Sequence, residues 1–217
     1  LKGIENKMKQ KKQKERKLSK AELKRKAEFE QLTERLIAKG YKPNHITMSV
    51  FAANVFAILA ALPLIILLVV SYFMIVGEIS FRSRDFGIAY LLFLVLIFVH
   101  EALHGITWGM FAENGWKSIS FGFIAEYLTP YCTCNQPLKK YQILTGSLMP
   151  TIILGVGLGI VSICTASPIL LLVSALNICG GGADVTMSLK LLLYKSSSKD
   201  VLFMDHPYEV GTVVFEK

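Results

Sequence analysis

Charge is what the long apolar stretches of this chain lack. No charged residue occurs between Phe51 and Val76, and none between Phe86 and Val99. Between Tyr141 and Tyr194 the only acidic residue is Asp184. Charged side chains make up 18% of the 217 residues against 53% hydrophobic ones, and the mean hydropathy is +0.47. An ordinary soluble domain is excluded by such clustering, because long uncharged runs have nowhere to go in water. Cysteine is scarce too. Cys132, Cys134, Cys164 and Cys179 are the four present, two of them inside apolar segments, so a secreted disulfide framework is not expected. No internal repeat is visible, and nothing at the beginning reads as a cleavable signal peptide. Histidine is rarer than the chain length would suggest, with four in all.

What charge there is gathers at one end. Residues 1–42 hold 15 Lys/Arg and 6 Asp/Glu, a net of +9, and the remainder holds 9 against 10, a net of −1. Residues 1–18 are expected to be a basic disordered arm. With no aromatic residue among the charges, a solvated run is expected rather than a nucleic-acid-binding one. Residues 19–50 are expected to form a cytoplasmic amphipathic helix and linker. Ser19 and Glu22 have the spacing of a capping box, Phe29, Leu32 and Leu36 share a face, and Gly40 supplies the stop. That helix either lies on the membrane surface or packs under the bundle.

Residues 51–194 are expected to be a four-helix membrane domain. Its apolar segments are 51–76, 86–112, 141–165 and 168–194. Each reaches the ~20 residues needed to cross a ~30 Å hydrocarbon core, where only a helix satisfies its own backbone. Pro63 and Pro150 are expected to kink their helices. The basic cluster ahead of the first span predicts a cytoplasmic N-terminus, and four spans return the C-terminal tail, 195–217, to the same side. Residues 77–85 then face outward and 113–140 inward. Within the inner loop, Ile119, Phe121 and Phe123 alternate with Ser118, Ser120 and Gly122, a strand pattern in an otherwise all-α chain.

The second segment ends in His100-Glu101-Ala102-Leu103-His104. Two histidines four apart on a helix project from one face, so both can bind one zinc ion, and the glutamate beside the first can polarise a water on that metal. An ionisable group at the centre of a spanning helix costs roughly 2.5–3.5 kcal/mol on insertion scales, which argues against a chance match here. The alternative is a pair of helix-end side chains reaching the interface. A catalytic zinc takes three protein ligands, and the spans offer Asp184 as the third. Depth agrees. His100 and His104 lie 14 and 18 residues past Phe86, and Asp184 lies 16 past Pro168. If both spans run inward, all three sit about 20–27 Å from the outer end at 1.5 Å per residue. Pairing with another polar group in the bundle is the alternative for Asp184.

Gly180, Gly181 and Gly182 can open the span or let helices pack closely. Asn177 can donate to a developing oxyanion as a substrate-binding group, or bond across helices. Cys132-Thr133-Cys134 is too closely spaced for a structural zinc site and reads as packing. His45 and His206 read as surface residues.

The sequences "HEALHG", "TPYCTCNQPL", "LMP", "GGGAD" and "DHPYEVG", in that order, resemble a bacterial family of small membrane zincin peptidases over most of residues 40–217. More distantly the layout is similar to site-2 proteases, which cut substrates inside the membrane; their Asn-Pro and Asp-Gly contexts and their PDZ domain have no counterpart here. The resemblance implies a zinc metallopeptidase of the bacterial cytoplasmic membrane, acting on membrane proteins or peptides. Glu101 would be its catalytic base and His100, His104 and Asp184 its zinc ligands. A zinc-binding membrane scaffold and a metal transporter are the other readings. Glu101 disfavours the scaffold, and the scarcity of acidic residues along the spans disfavours the transporter.

Overall fold

The computed structural model describes residues 20–124, 129–207 and 209–217, with side chains from Leu23 onward. The basic arm at 1–18 and the side chains of the cap at Ser19 and Glu22 lie outside what is described, as do residues 125–128.

Helix α1 (Lys20–Ala38) precedes strand β1 (Lys42–Met48). Helix α2 (Val50–Val76) begins with Ser49 accepting the Ala52 N–H and ends at Gly77, whose φ of 91° closes the last turn. Pro63 sits inside it without ending it. Helix α3 (Ser83–Phe111) carries His100, Glu101 and His104 in its last three turns. A 3₁₀ turn (Gly115–Ser118) leads into strands β2 (Ile119–Ile124) and β3 (Thr129–Cys134), an antiparallel hairpin that pairs Ile119 with Cys134 and Phe121 with Cys132. The alternation at 118–123 is thus part of a hairpin.

The third and fourth apolar segments are helical but not regular. Helix α4 (Lys140–Pro150) passes into a π-helical stretch (Thr151–Gly157) and then α5 (Leu158–Cys164). The change of ladder follows Pro150, which has no N–H to give. The last segment, expected as one helix over 168–194, is two. Helices α6 (Pro168–Gly180) and α7 (Gly182–Leu193) meet at Gly181 at 48°. Among the described residues, three helices are long and apolar enough to cross a membrane, or up to four if the bent pair counts as one. Their apolar side chains are largely exposed, Phe51, Met74 and Leu91 among them. A molecule with such a surface is a membrane protein.

The expected all-α architecture needs correcting at both ends. Strands β4 (Val201–Asp205) and β5 (Val210–Glu216) form a sheet with β1 in the order β1-β5-β4, all antiparallel, with His45 opposite Val213 and Met204 opposite Val213 on the other side. The segment read as a tail is therefore packed structure. Val213, Val214 and Phe215 have no exposed surface at all. Helix α1 lays Phe29 and Leu36 on Met204, Val213 and Phe215, so it packs on this sheet. On the other side of the sheet, Phe203 and Val214 join Trp108, Leu138, Ile143 and Leu191, which ties sheet to bundle through one core.

His206 is not a free surface residue. Its ring lies between Phe29 (6.1 Å) and His45 (5.4 Å), and its Nδ1 accepts the Glu209 N–H at 3.0 Å. Burial holds its pKa below the ordinary 6.5; Glu209 opposes this and His45 adds to it. An unfolded chain takes up that proton first as pH falls, so the stability tied to neutral His206 is complete above about pH 6.5 and is lost below it. The thermal unfolding midpoint in detergent should fall between pH 7 and 5, and His206→Asn should flatten that slope. An unchanged slope would mean other groups set it.

Candidate metal centre

The helical period places His100, His104 and Trp108 one above another on α3, at successive intervals of four. Helix α3 lies against α4 and α6, and α2 lies against α7. His104 is buried, with 5% of its side chain exposed, and His100 has 13%. Asp184 enters from the first turn of α7, just past the break at Gly181, with 27% of its side chain exposed. The break has a packing cause. A Cβ on Gly182 would lie 2.2 Å from the Ala57 carbonyl oxygen of α2, so only glycine allows that approach. Of the two readings for these glycines, close packing is the one seen at Gly182.

Three side-chain atoms converge. His100 Nε2 is 3.2 Å from Asp184 Oδ2 and 3.2 Å from His104 Nε2, and His104 Nε2 is 3.6 Å from Asp184 Oδ2. All the ligand atoms of this trio lie within 4.8 Å of one another. A tetrahedral zinc with bonds of about 2.0–2.1 Å spaces its ligand atoms about 3.3–3.5 Å apart, so the donor set fits that ion in kind and in size. The chemistry of the set points the same way. An imidazole lone pair facing another and a carboxylate is repulsive unless a cation or a proton stands between them.

The surroundings fix how His104 presents its ring. Its Nδ1 donates to the Gly146 carbonyl of α4 at 2.8 Å, which leaves the Nε2 lone pair for the centre. Trp108 stacks on the imidazole at 4.9 Å with an interplanar angle of 11°, and its Nε1 donates to the Ile143 carbonyl at 3.2 Å. Gly146 makes room for this: a Cβ there would lie 2.0 Å from Trp108 Nε1. Trp108 continues the spacing of the two histidines and could have been found from it. The Gly146 carbonyl could not, since only folding brings α4 there.

Glu101 does not join the trio. It lies on the hairpin side, near the backbone of Cys132. The hairpin comes this close because residue 105 is glycine; a Cβ there would meet Phe121 Cζ at 2.7 Å and Cys132 Sγ at 3.3 Å. Both hairpin cysteines are free thiols. Burial, aided by the Glu101 and Asp205 charges, pushes Cys132 far above the usual thiol range, and burial pushes Cys134 up to about 11. Neither is a thiolate at neutral pH, as their packing reading expects. Asn177 is buried and donates its Nδ2 to the Val173 carbonyl one turn back in its own helix, at 2.9 Å. Asp205, in the segment read as a tail, was not singled out from sequence, yet His104 and Asp184 lie within its electrostatic reach.

Residues 93–199 match the model of a family described as "Putative zincin peptidase". The match spans α3 from its middle through α7 and so includes every residue of the trio. It bears out the family resemblance seen in the motifs. No curated protein and no solved structure matches the chain.

The Gly146–Trp108–His104 contact makes a direct prediction. Gly146→Ala drives a methyl into a ring with no room to turn, and overpacking of this kind costs about 1–3 kcal/mol. The thermal midpoint should fall and zinc affinity should weaken with it. If both stay at their original values, Trp108 does not hold His104 in place.

Proposed function

We propose that the chain is a zinc metallopeptidase that acts within or at the surface of the bacterial cytoplasmic membrane. The observation that carries this reading is the convergence of His100 Nε2, His104 Nε2 and Asp184 Oδ2 at 3.2–3.6 Å, at the end of apolar helices. The family match supports peptidase chemistry. His100, His104 and Asp184 hold the metal in this reading, and Glu101 is the catalytic base. A zinc ion in that position supplies Lewis acidity, activating a water and polarising a carbonyl oxygen. Glu101 takes the proton of the attacking water and passes it to the leaving amine. The Gly146 carbonyl holds the His104 tautomer through both transfers. Asn177 serves packing here, because its amide is engaged within its own helix.

A substrate must present an extended backbone to be cut, and a membrane helix must first be unwound. The hairpin supports a means of doing so. Its β3 backbone lies near Glu101 at Cys132 and near Asp205 at Cys134, whereas β2 has β3 as its one partner among the described strands. The open β2 edge, flanked by exposed Phe121 and Phe123, is suited to adding an extended peptide as a further strand. Both termini and the hairpin lie on the cytoplasmic side in this reading, in keeping with the basic cluster before α2.

Purified protein should carry about one zinc per chain by metal analysis, and His100→Ala or Asp184→Ala should remove most of it. Full zinc in the Asp184→Ala protein would eliminate it as the third ligand. Glu101→Gln should keep zinc and fold and should lose cleavage of single-span model substrates, where a general base typically contributes 10²–10⁴-fold. A scaffold predicts the opposite, an indifferent Glu101 and an essential His100.

Orientation has its own test. Ser80 and Lys117 are both exposed. A cysteine placed at Ser80 should react with an impermeant label in intact cells, and one at Lys117 only after permeabilisation. The reverse result would move the hairpin to the outer side.

A further inference from the structure

Two carboxylates address one edge of the hairpin. Cys132 and Cys134 are two residues apart on β3, so their N–H groups leave the same edge of the strand. The first lies near Glu101 and the second near Asp205. Asp205 Oδ2 also accepts the hydroxyl of Thr133, the residue between them, at 3.4 Å. The other side of the same stretch is tied down through Asn135, whose Nδ2 donates to Ser120 Oγ at 2.6 Å and whose N–H donates to the Ser118 carbonyl at 2.8 Å. Asp205 itself is anchored by the sheet, where it sits opposite Thr212 of β5. It also lines a cavity of about 20 Å³ with Arg25, Glu28, Thr133 and Asn135, room for about one water. Arg25 lies over the Tyr131 ring of β3 at 4.4 Å, and its buried Nε has no hydrogen-bond partner among the described residues.

We propose that Asp205 is a positioning residue for Glu101: by holding the Thr133 hydroxyl it sets β3, and with it the Cys132 backbone, at the height of the Glu101 carboxylate. The inference rests on the metallopeptidase reading for what that placement is for. Asp205 touches neither the trio nor the reacting atoms. Its effect passes along one strand, from β4 to Thr133 to Cys132 to Glu101.

Acetohydroxamate and azide separate this from a general structural role. Acetohydroxamate binds zinc and also places a proton on the neighbouring carboxylate, whereas azide needs the metal alone. In the zinc-loaded full chain in detergent, Asp205→Ala should weaken acetohydroxamate about tenfold or more and leave azide within about twofold, with zinc still near one per chain. Asp205→Asn, which retains an acceptor for Thr133, should recover most of the loss. The double variant with Glu101→Gln should be no weaker than Glu101→Gln alone, since both changes remove one interaction. Parallel loss of azide affinity, or additive losses in the double variant, would overturn the inference. Should the wild-type chain take up no zinc, the metallopeptidase reading fails instead, and amide hydrogen exchange in the metal-free chain decides the positioning. Exchange at Cys132 at least tenfold faster in Asp205→Ala supports it, and unchanged exchange overturns it. Where Asp205→Ala does not fold, Thr133→Val removes the same tie from the other end and is read by the same measurements.

Discussion

Two imidazoles and a carboxylate meet on helices that carry few other charged residues, and their surroundings are arranged to make that tolerable. A charged group at the centre of a spanning helix costs roughly 2.5–3.5 kcal/mol on insertion scales. Here the groups offset one another, at 3.2–3.6 Å. The arrangement is strained only if no cation is supplied, since it sets lone pair against lone pair. That requirement links the bundle to its chemistry. A trio able to hold a metal can remain together, and a trio without one would have to find protons or water.

Holding three atoms within a fraction of an ångström needs a rigid frame, and the frame comes from close approaches rather than from many bonds. Gly146 lets Trp108 lie flat on His104, and Gly182 lets α7 meet the backbone of α2. The break at Gly181 then turns the first residues of α7, and Asp184 with them, toward α3. The irregular ladder after Pro150 separates two tasks: α4 delivers the Gly146 carbonyl to His104, and the π-helical stretch and α5 beyond it lie beside α6.

On the hairpin side the centre is closed by β-structure drawn from both ends of the chain. The hairpin crosses α3 at Gly105, immediately after the second histidine. The three-stranded sheet stands behind it, bound to the bundle by the core that Phe203 and Val214 share with Trp108. Helix α1 covers the sheet's other face. Residues far from the metal centre in sequence, such as Phe29 and Phe215, therefore bear on it through packing alone.

How much of this was legible beforehand follows from the range of each signal. The long apolar helices and the histidine pair were readable because lipid imposes length and periodicity on a segment, and Asp184 because an ionisable residue stands out against an uncharged run. Helix α1 and the alternation of β2 were readable for the same local reasons. The sheet was not. Strands β1 and β5 are more than 160 residues apart, and nothing in "KPNHITM" says that "VGTVVFE" will lie beside it. Nor could sequence foresee the bend at Gly181, the Gly146 carbonyl behind His104, or Asp205 behind the hairpin. Each depends on two backbones coming into contact, and contact between distant segments is decided by how whole surfaces pack. The amino-acid order determined which groups had to find one another; the tertiary structure decided which neighbours hold them in place.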